Sequence, residues 1–170
     1  MRPAREPFRQ TGHSYFISFQ TAGRKPFFRH ERWSLLFLEV LEHYRTEYQL
    51  HAYVVMPDHV HVLLTPHEAL ERSVQLIKGG FSFRAEKEFD WNGEVWQRGF
   101  SDHRILDMRD WGQHLDYIKM NPVKARLCID PDEYGYGFFA GVMEMDEVPQ
   151  RLKPLDFCSA NGGAEAPPLQ

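Results

Sequence analysis

One stretch of this chain constrains its fold more than any other: Tyr53-Val-Val-Met-Pro-Asp-His-Val-His-Val-Leu-Leu-Thr-Pro66. Apolar β-formers lie on both sides of a Pro57-Asp58 turn, so the segment reads as two paired strands, Leu50 to Met56 and His59 to Thr65. Strand side chains alternate between faces. His59 and His61 therefore share one side, and Val60 points the other way into a core. Two imidazoles held in parallel on a stiff element suit a metal clamp. Taken alone they read first as two partly exposed strand histidines. The pair gains meaning beside a second segment, Leu115-Asp-Tyr-Ile-Lys-Met-Asn-Pro-Val-Lys-Ala-Arg-Leu127.

Around that hairpin, His13 to Gln20 is aromatic and β-branched and reads as a first strand. Residues 30–48 read as a helix, with Leu35, Leu38, Leu41, Tyr44 and Tyr48 near the 3.6-residue period. A second helix is expected over 68–89, weakened near its middle by Gly79-Gly80. Glu94 to Leu106 reads as a fourth strand, irregular around Gly99. A third helix starts near Asp110 as N-cap and should end by Asn121, because Pro122 follows. The order β-α-β-β-α-β is the ferredoxin-like arrangement of an α+β protein. It predicts an antiparallel four-stranded sheet backed by two helices, its other face open, with an added C-terminal helix bearing Tyr117. Residues 1–145 form the expected domain, and residues 146–170, polar and rich in Pro, Gly and Ala, a flexible tail.

At 170 residues the chain is one domain with room for its own core. It has no run of roughly 20 apolar residues, and its charged N-terminus lacks the apolar stretch of a signal peptide. Cys128 and Cys158 are isolated, which points away from a disulfide framework or zinc knuckle and towards the reducing cytoplasm. The net charge of −4 argues mildly against a general nucleic-acid binder. Its distribution is uneven, however: residues 1–34 carry seven Lys/Arg against Glu6 and Glu31, and local patches decide where a phosphate backbone lies.

On a helical wheel with Trp111 at zero, Leu115 and Ile118 fall near ~40° and ~340° and form the buried stripe. Asp110, His114, Tyr117 and Asn121 fall between ~240° and ~300° on a polar face beside it. A tyrosine hydroxyl one turn from a ligand-type amide suits phosphoryl transfer through a covalent phosphotyrosine. Each residue also has a plainer reading. Tyr117 fits a half-buried packing position, Asn121 a helix end and His114 a solvated helix histidine, whereas His103 could approach the site from the neighbouring strand.

Three motifs in order resemble those of the HUH single-strand transposases, most closely the REP-associated tyrosine transposases. They are Met56-Pro-Asp-His-Val-His-Val-Leu-Leu64, Val95-Trp-Gln-Arg-Gly-Phe-Ser-Asp-His-Arg-Ile105 and Tyr117-Ile-Lys-Met-Asn-Pro-Val-Lys-Ala-Arg-Leu127. The resemblance spans residues 13 to 140. It implies a catalytic domain that nicks and rejoins single-stranded DNA at a palindromic hairpin, as monomer or homodimer and without a membrane. It makes His59, His61 and Asn121 ligands of Mg²⁺ or Mn²⁺, and Tyr117 the nucleophile that forms a 5′-phosphotyrosine. The chain departs from the family pattern at Asp58, where Asn is usual, and at Tyr134-Gly-Tyr-Gly-Phe-Phe139, where a Pro-Trp-Ser-Ser-like stretch is usual.

Lys78, Arg84, Arg98, Arg104, Lys124 and Arg126 are candidate phosphate contacts, against the ordinary fate of surface cations as solvated groups. Phe81, Trp96 and Phe100 are candidate base-stacking residues, against core packing. Two rival functions remain open at this point. A non-catalytic nucleic-acid-binding protein shares the sheet architecture, although an RNP aromatic motif is absent. A metal-dependent hydrolase would use the histidines to activate water and would not need Tyr117.

Overall fold

A computed structural model describes residues 12–152. The strands are β1 (Tyr15–Gln20), β2 (Tyr48–Met56), β3 (His59–Pro66) and β4 (Ser101–Arg104). The helices are α1 (Glu31–His43), α2 (Leu70–Phe89) and α3 (Met108–Lys124). The strands form one antiparallel sheet in the order β2-β3-β1-β4, the topology the βαββαβ order predicts.

Alternation along the strands divides the apolar residues between two cores. Ile17, Phe19, Val60, Val62 and Leu64 face α1 and α2, joining Trp33, Phe37, Leu41, Ile77 and Phe81. Ala52, Val54, Met56 and Leu63 face the other way and pack with Trp111 and Ile118 of α3. The second sheet face is thus covered by the tyrosine-bearing helix, where the element order alone left it open. Covering that face carries Tyr117 to the histidines.

Several boundaries differ from the sequence expectation for local reasons. The first helix stops at His43 and Tyr48 opens β2 instead, its buried hydroxyl donating to the Leu41 carbonyl at 2.8 Å. β4 is far shorter than 94–106. The Lys78 ammonium takes the carbonyls of Gln97 and Gly99, at 2.9 and 2.7 Å, and Gly99 adopts φ 75°. That pins residues 95–100 as a loop held to the end of β1 by a Thr21–Trp96 bridge, Gln97 N donating to Gln20 O at 2.8 Å, and by Trp96 packed on Phe19. α3 is capped by Asp107, whose carboxylate accepts from the Asp110 amide at 2.8 Å, and it continues through Pro122. Pro122 removes one backbone donor in the last turn. The turn still closes through Ala125 N to Asn121 O and Leu127 N to Pro122 O, at 3.0 and 2.9 Å.

The Gly79-Gly80 pair does not break α2. Gly80 lets the end of α1 approach: a Cβ there would stand 2.5 Å from the Tyr44 ring, whereas Gly79 faces open space. Gly79→Ala should therefore stabilise the fold by about 0.5–1 kcal/mol through helix propensity. Gly80→Ala should lose that gain to overpacking and come out destabilised by about 1 kcal/mol. Urea midpoints of the two variants test this, and equal stabilisation of both would refute the close-approach role.

Residues after α3 seal the open edge of β2. The Tyr134 hydroxyl donates to Val55 O at 2.6 Å, Val55 N donates to Tyr136 O at 2.9 Å, and Gly137 bridges Val54. Of the segment read as a flexible tail, residues 146–152 are docked: Asp146 accepts from Leu50 N and Arg45, and Leu152 is buried beside α3's core. Residues 153–170, including Cys158, lie outside the described residues. Covering an edge strand this way blocks pairing with other chains.

Candidate active site

His59 and His61 stand side by side on β3, ring centroids 4.8 Å apart. Register sets their neighbours across the sheet: His59 lies opposite Gln20 and Met56, His61 opposite Ser18 and Val54. His61 is only 6% exposed. Its Nδ1 bonds the Ser18 hydroxyl, and its Nε2 is buried without a hydrogen-bond partner. A proton on Nδ1 donated to Ser18 leaves Nε2 with its lone pair. The His59 Nδ1 is held at 2.7 Å by Asp58, whose other oxygen accepts from Arg24 at 2.9 Å. Burial alone would raise the Asp58 carboxyl, but these two partners outweigh it and hold it below the usual carboxylate range. Asp58 thus orients His59 and keeps its Nε2 available, the carboxylate–histidine support common around metal ligands.

α3 brings the third element. The Tyr117 ring meets His61 edge-on at 5.2 Å between centroids, and both contact Phe16, at 5.7 and 5.3 Å. Tyr117 itself is 42% exposed, so its ring is seated while the residue remains open to a substrate. Asn121, one turn further along α3, is 9% exposed and buried with Pro122. The donor set fits a hard or borderline divalent cation. It offers two imidazole nitrogens on one face, one of them a buried orphan.

The other anticipated residues divide. Lys124 lies over the Tyr117 ring at 5.6 Å. Arg98 lines an open depression of about 250 Å³ with Ser18, Gln20, Phe100 and Ser101, so this hollow begins at the Ser18 that supports His61. Arg104 sits on β4, and Arg126 follows α3 at φ 58°. Arg84 is engaged by Glu39 and Glu88 on the helical layer behind the sheet. Lys78 is spent on loop carbonyls, as described above. Phe81 is fully buried core, and Trp96 is packed against Phe19. Sequence reasoning did not single out Ser18 or Phe16. Their signal was the alternation of β1, which sets both on the face opposite Ile17 and Phe19.

The family profile described as "Transposase IS200 like" matches residues 9–120, more than half the chain. The chain belongs to the IS200-like transposase family. These are enzymes of DNA cleavage and strand transfer, and they generally use a divalent metal. A REP-associated tyrosine transposase of Escherichia coli is 26% identical over 113 residues, 65% of this chain and 62% of that one. A Haemophilus influenzae protein assigned to the same group is 33% identical over 124 residues, 66% of this chain and 69% of its own. The solved structure of a REP-associated tyrosine transposase bound to a REP hairpin superposes with a TM-score of 0.69 at 21% identity, covering 98% of each chain. That likeness bears out the α+β fold. No helix among the described residues of this IS200-like transposase is long and apolar enough to cross a membrane.

The electrostatics of the site carry a stability signature. Burial, then the neighbouring His59, pushes the His61 imidazole down to about 3, and burial also lowers His51. Both stay neutral in the folded chain where the unfolded chain takes up protons. The unfolded state therefore binds more protons below about pH 6.5, and stability falls as pH drops through that value. In chelator-treated protein the urea midpoint should decrease from pH 7.5 to 4.5, and His61→Gln should flatten the decrease. An unchanged slope in the variant would remove His61 from this role.

Proposed function

We propose that this IS200-like transposase is a metal-dependent single-stranded DNA endonuclease and strand transferase, working through a 5′-phosphotyrosine at Tyr117. The observation that carries this reading is the contact between the Tyr117 ring and His61 across the α3–β3 seam. His59, His61 and Asn121 would hold Mg²⁺ or Mn²⁺. When bound, such an ion polarises the scissile phosphate and offsets charge developing on its oxygens. The Tyr117 oxygen attacks phosphorus, and a Tyr–O–P bond forms as the bond to the 3′ oxygen breaks. The phenolic proton passes to solvent, and the leaving oxygen ends as a 3′-hydroxyl. Rejoining reverses the exchange, one phosphoester for another, and needs no ATP.

Support for a hairpin substrate comes from the relative whose structure holds a REP hairpin. The hollow between Ser18 and Arg98 would take an unpaired nucleotide beside the cut, with Phe100 as a stacking surface and Arg98 near the backbone. Arg104, Lys124 and Arg126 lie on the elements around Tyr117 and are proposed phosphate contacts. Arg84 and Lys78, with their structural partners, are weaker candidates. A reaction on chromosomal DNA would take place in the cytoplasm.

The test is incubation with a labelled single-stranded hairpin and Mn²⁺, followed by denaturing electrophoresis. A covalent protein–DNA adduct is the expected result, and cleavage without any adduct would favour a hydrolase using water. The proposed ligand role of Asn121 has its own check. Asn121→Ala should raise the Mn²⁺ concentration for half-maximal cleavage with little change in DNA affinity, and Asn121→Asp should match or improve on the wild type. A lowered melting temperature with an unshifted Mn²⁺ titration would return Asn121 to a purely structural role.

A further inference from the structure

A second constellation of metal-type donors lies outside the His59/His61 pair. His103 projects from β4, and Asp110 and His114 stand one turn apart on α3. Only Ile105, Leu106 and Asp107 separate the strand from the helix. The Asp110 carboxylate lies 2.8 Å from the Nε2 of His103 and 3.0 Å from the Nδ1 of His114, through different oxygens. The two imidazoles are stacked, 4.5 Å apart and 19° from parallel. Asp110 is further fixed by the Leu106 amide at 2.9 Å. Burial by itself would raise its carboxyl, but the His103 bond and its other partners hold it below the usual range.

We infer that His103, Asp110 and His114 form a second cation site, selective for a borderline transition ion of the Zn²⁺, Co²⁺ or Ni²⁺ class. Donors about 2.0–2.2 Å from a shared ion and about 90–110° apart are themselves about 3–3.6 Å apart. Through the single oxygen Oδ1 two of the three separations are 3.1 and 3.0 Å, and the two imidazole nitrogens lie within 4.8 Å of each other, so loading needs only a small adjustment of the cluster. Two imidazoles with one carboxylate suit such ions better than Mg²⁺, which takes oxygen donors. His103 is 46% exposed at the sheet edge, which gives the ion an entry path and leaves a position for water.

The His114 Nδ1 also lies 2.9 Å from the Asp110 main-chain oxygen. The site also clamps β4 to the first turns of the tyrosine helix. Phe16 touches His114 at 4.8 Å as well as His61 and Tyr117, so one aromatic ring separates the two sites.

The test uses the full chain carrying His59→Ala and His61→Ala, stripped with chelator and titrated with Zn²⁺ by calorimetry and with Co²⁺ by visible absorption. The expected result is one equivalent of ion bound and the melting temperature raised. Adding His103→Ala should weaken Zn²⁺ binding by about tenfold or more, as loss of one of three donors requires. His103→Gln, which keeps side-chain bulk at the edge, should do the same with the fold intact by circular dichroism. An absence of Zn²⁺ binding in the His59/His61 variant, or binding that neither His103 substitution changes, would overturn the site and leave Asp110 as a hydrogen-bond acceptor for two histidines.

Discussion

Tyr117→Phe should lower strand cleavage by about 10³-fold or more and eliminate the covalent adduct, because the only atom removed is the proposed attacking oxygen. The fold should hardly notice. The phenyl ring keeps the edge contacts with His61 and Phe16, and the residue is nearly half exposed, so the cost should stay under about 1 kcal/mol. Hairpin affinity should likewise stay within about threefold, since no cation is lost. The measurements are adduct yield on a denaturing gel, a binding isotherm with a non-cleavable hairpin, and a melting curve. Cleavage at the wild-type rate by a well-folded Phe variant would exclude Tyr117 as nucleophile.

His59→Ala and His61→Ala should each abolish cleavage, and chelator should do the same to the wild type with recovery on adding Mn²⁺ or Mg²⁺. The two variants should differ in stability. His61 is buried, stacked on Phe16 and bonded to Ser18, so its removal leaves a cavity and an unpartnered hydroxyl, costing about 2–3 kcal/mol. His59 is more open and is held chiefly by Asp58, so its loss should cost about 1 kcal/mol or less. Excess Mn²⁺ should rescue neither. Urea melts beside a metal titration of cleavage separate loss of ligand from loss of fold. Activity that survives both chelator and the double substitution would mean a metal-free reaction.

The sequence by itself determined what depends on local periodicity. Two-residue alternation put His59 and His61 on one face and Val60 in the core, and the 3.6-residue period put Trp111 and Ile118 on the buried side of the tyrosine helix. The order of strands and helices was enough for the sheet topology, because one tight hairpin and two helical crossovers admit few alternatives.

Tertiary structure decided which surfaces meet. An amphipathic stripe states that a helix packs, not which face of the sheet receives it, so α3's cover over His61 was not legible in the chain. Strand register placed Ser18 across from His61 and Phe16 across from His103, and register depends on partners dozens of residues away. Lys78 shortened β4 by taking carbonyls that a strand partner would otherwise have held. The segment around Tyr134–Gly137 closed the β2 edge for the opposite reason: that edge had backbone donors and acceptors still unpaired. Local patterns fix what each segment presents. Only packing, by satisfying buried polar groups at long sequence separation, fixes what it is presented to.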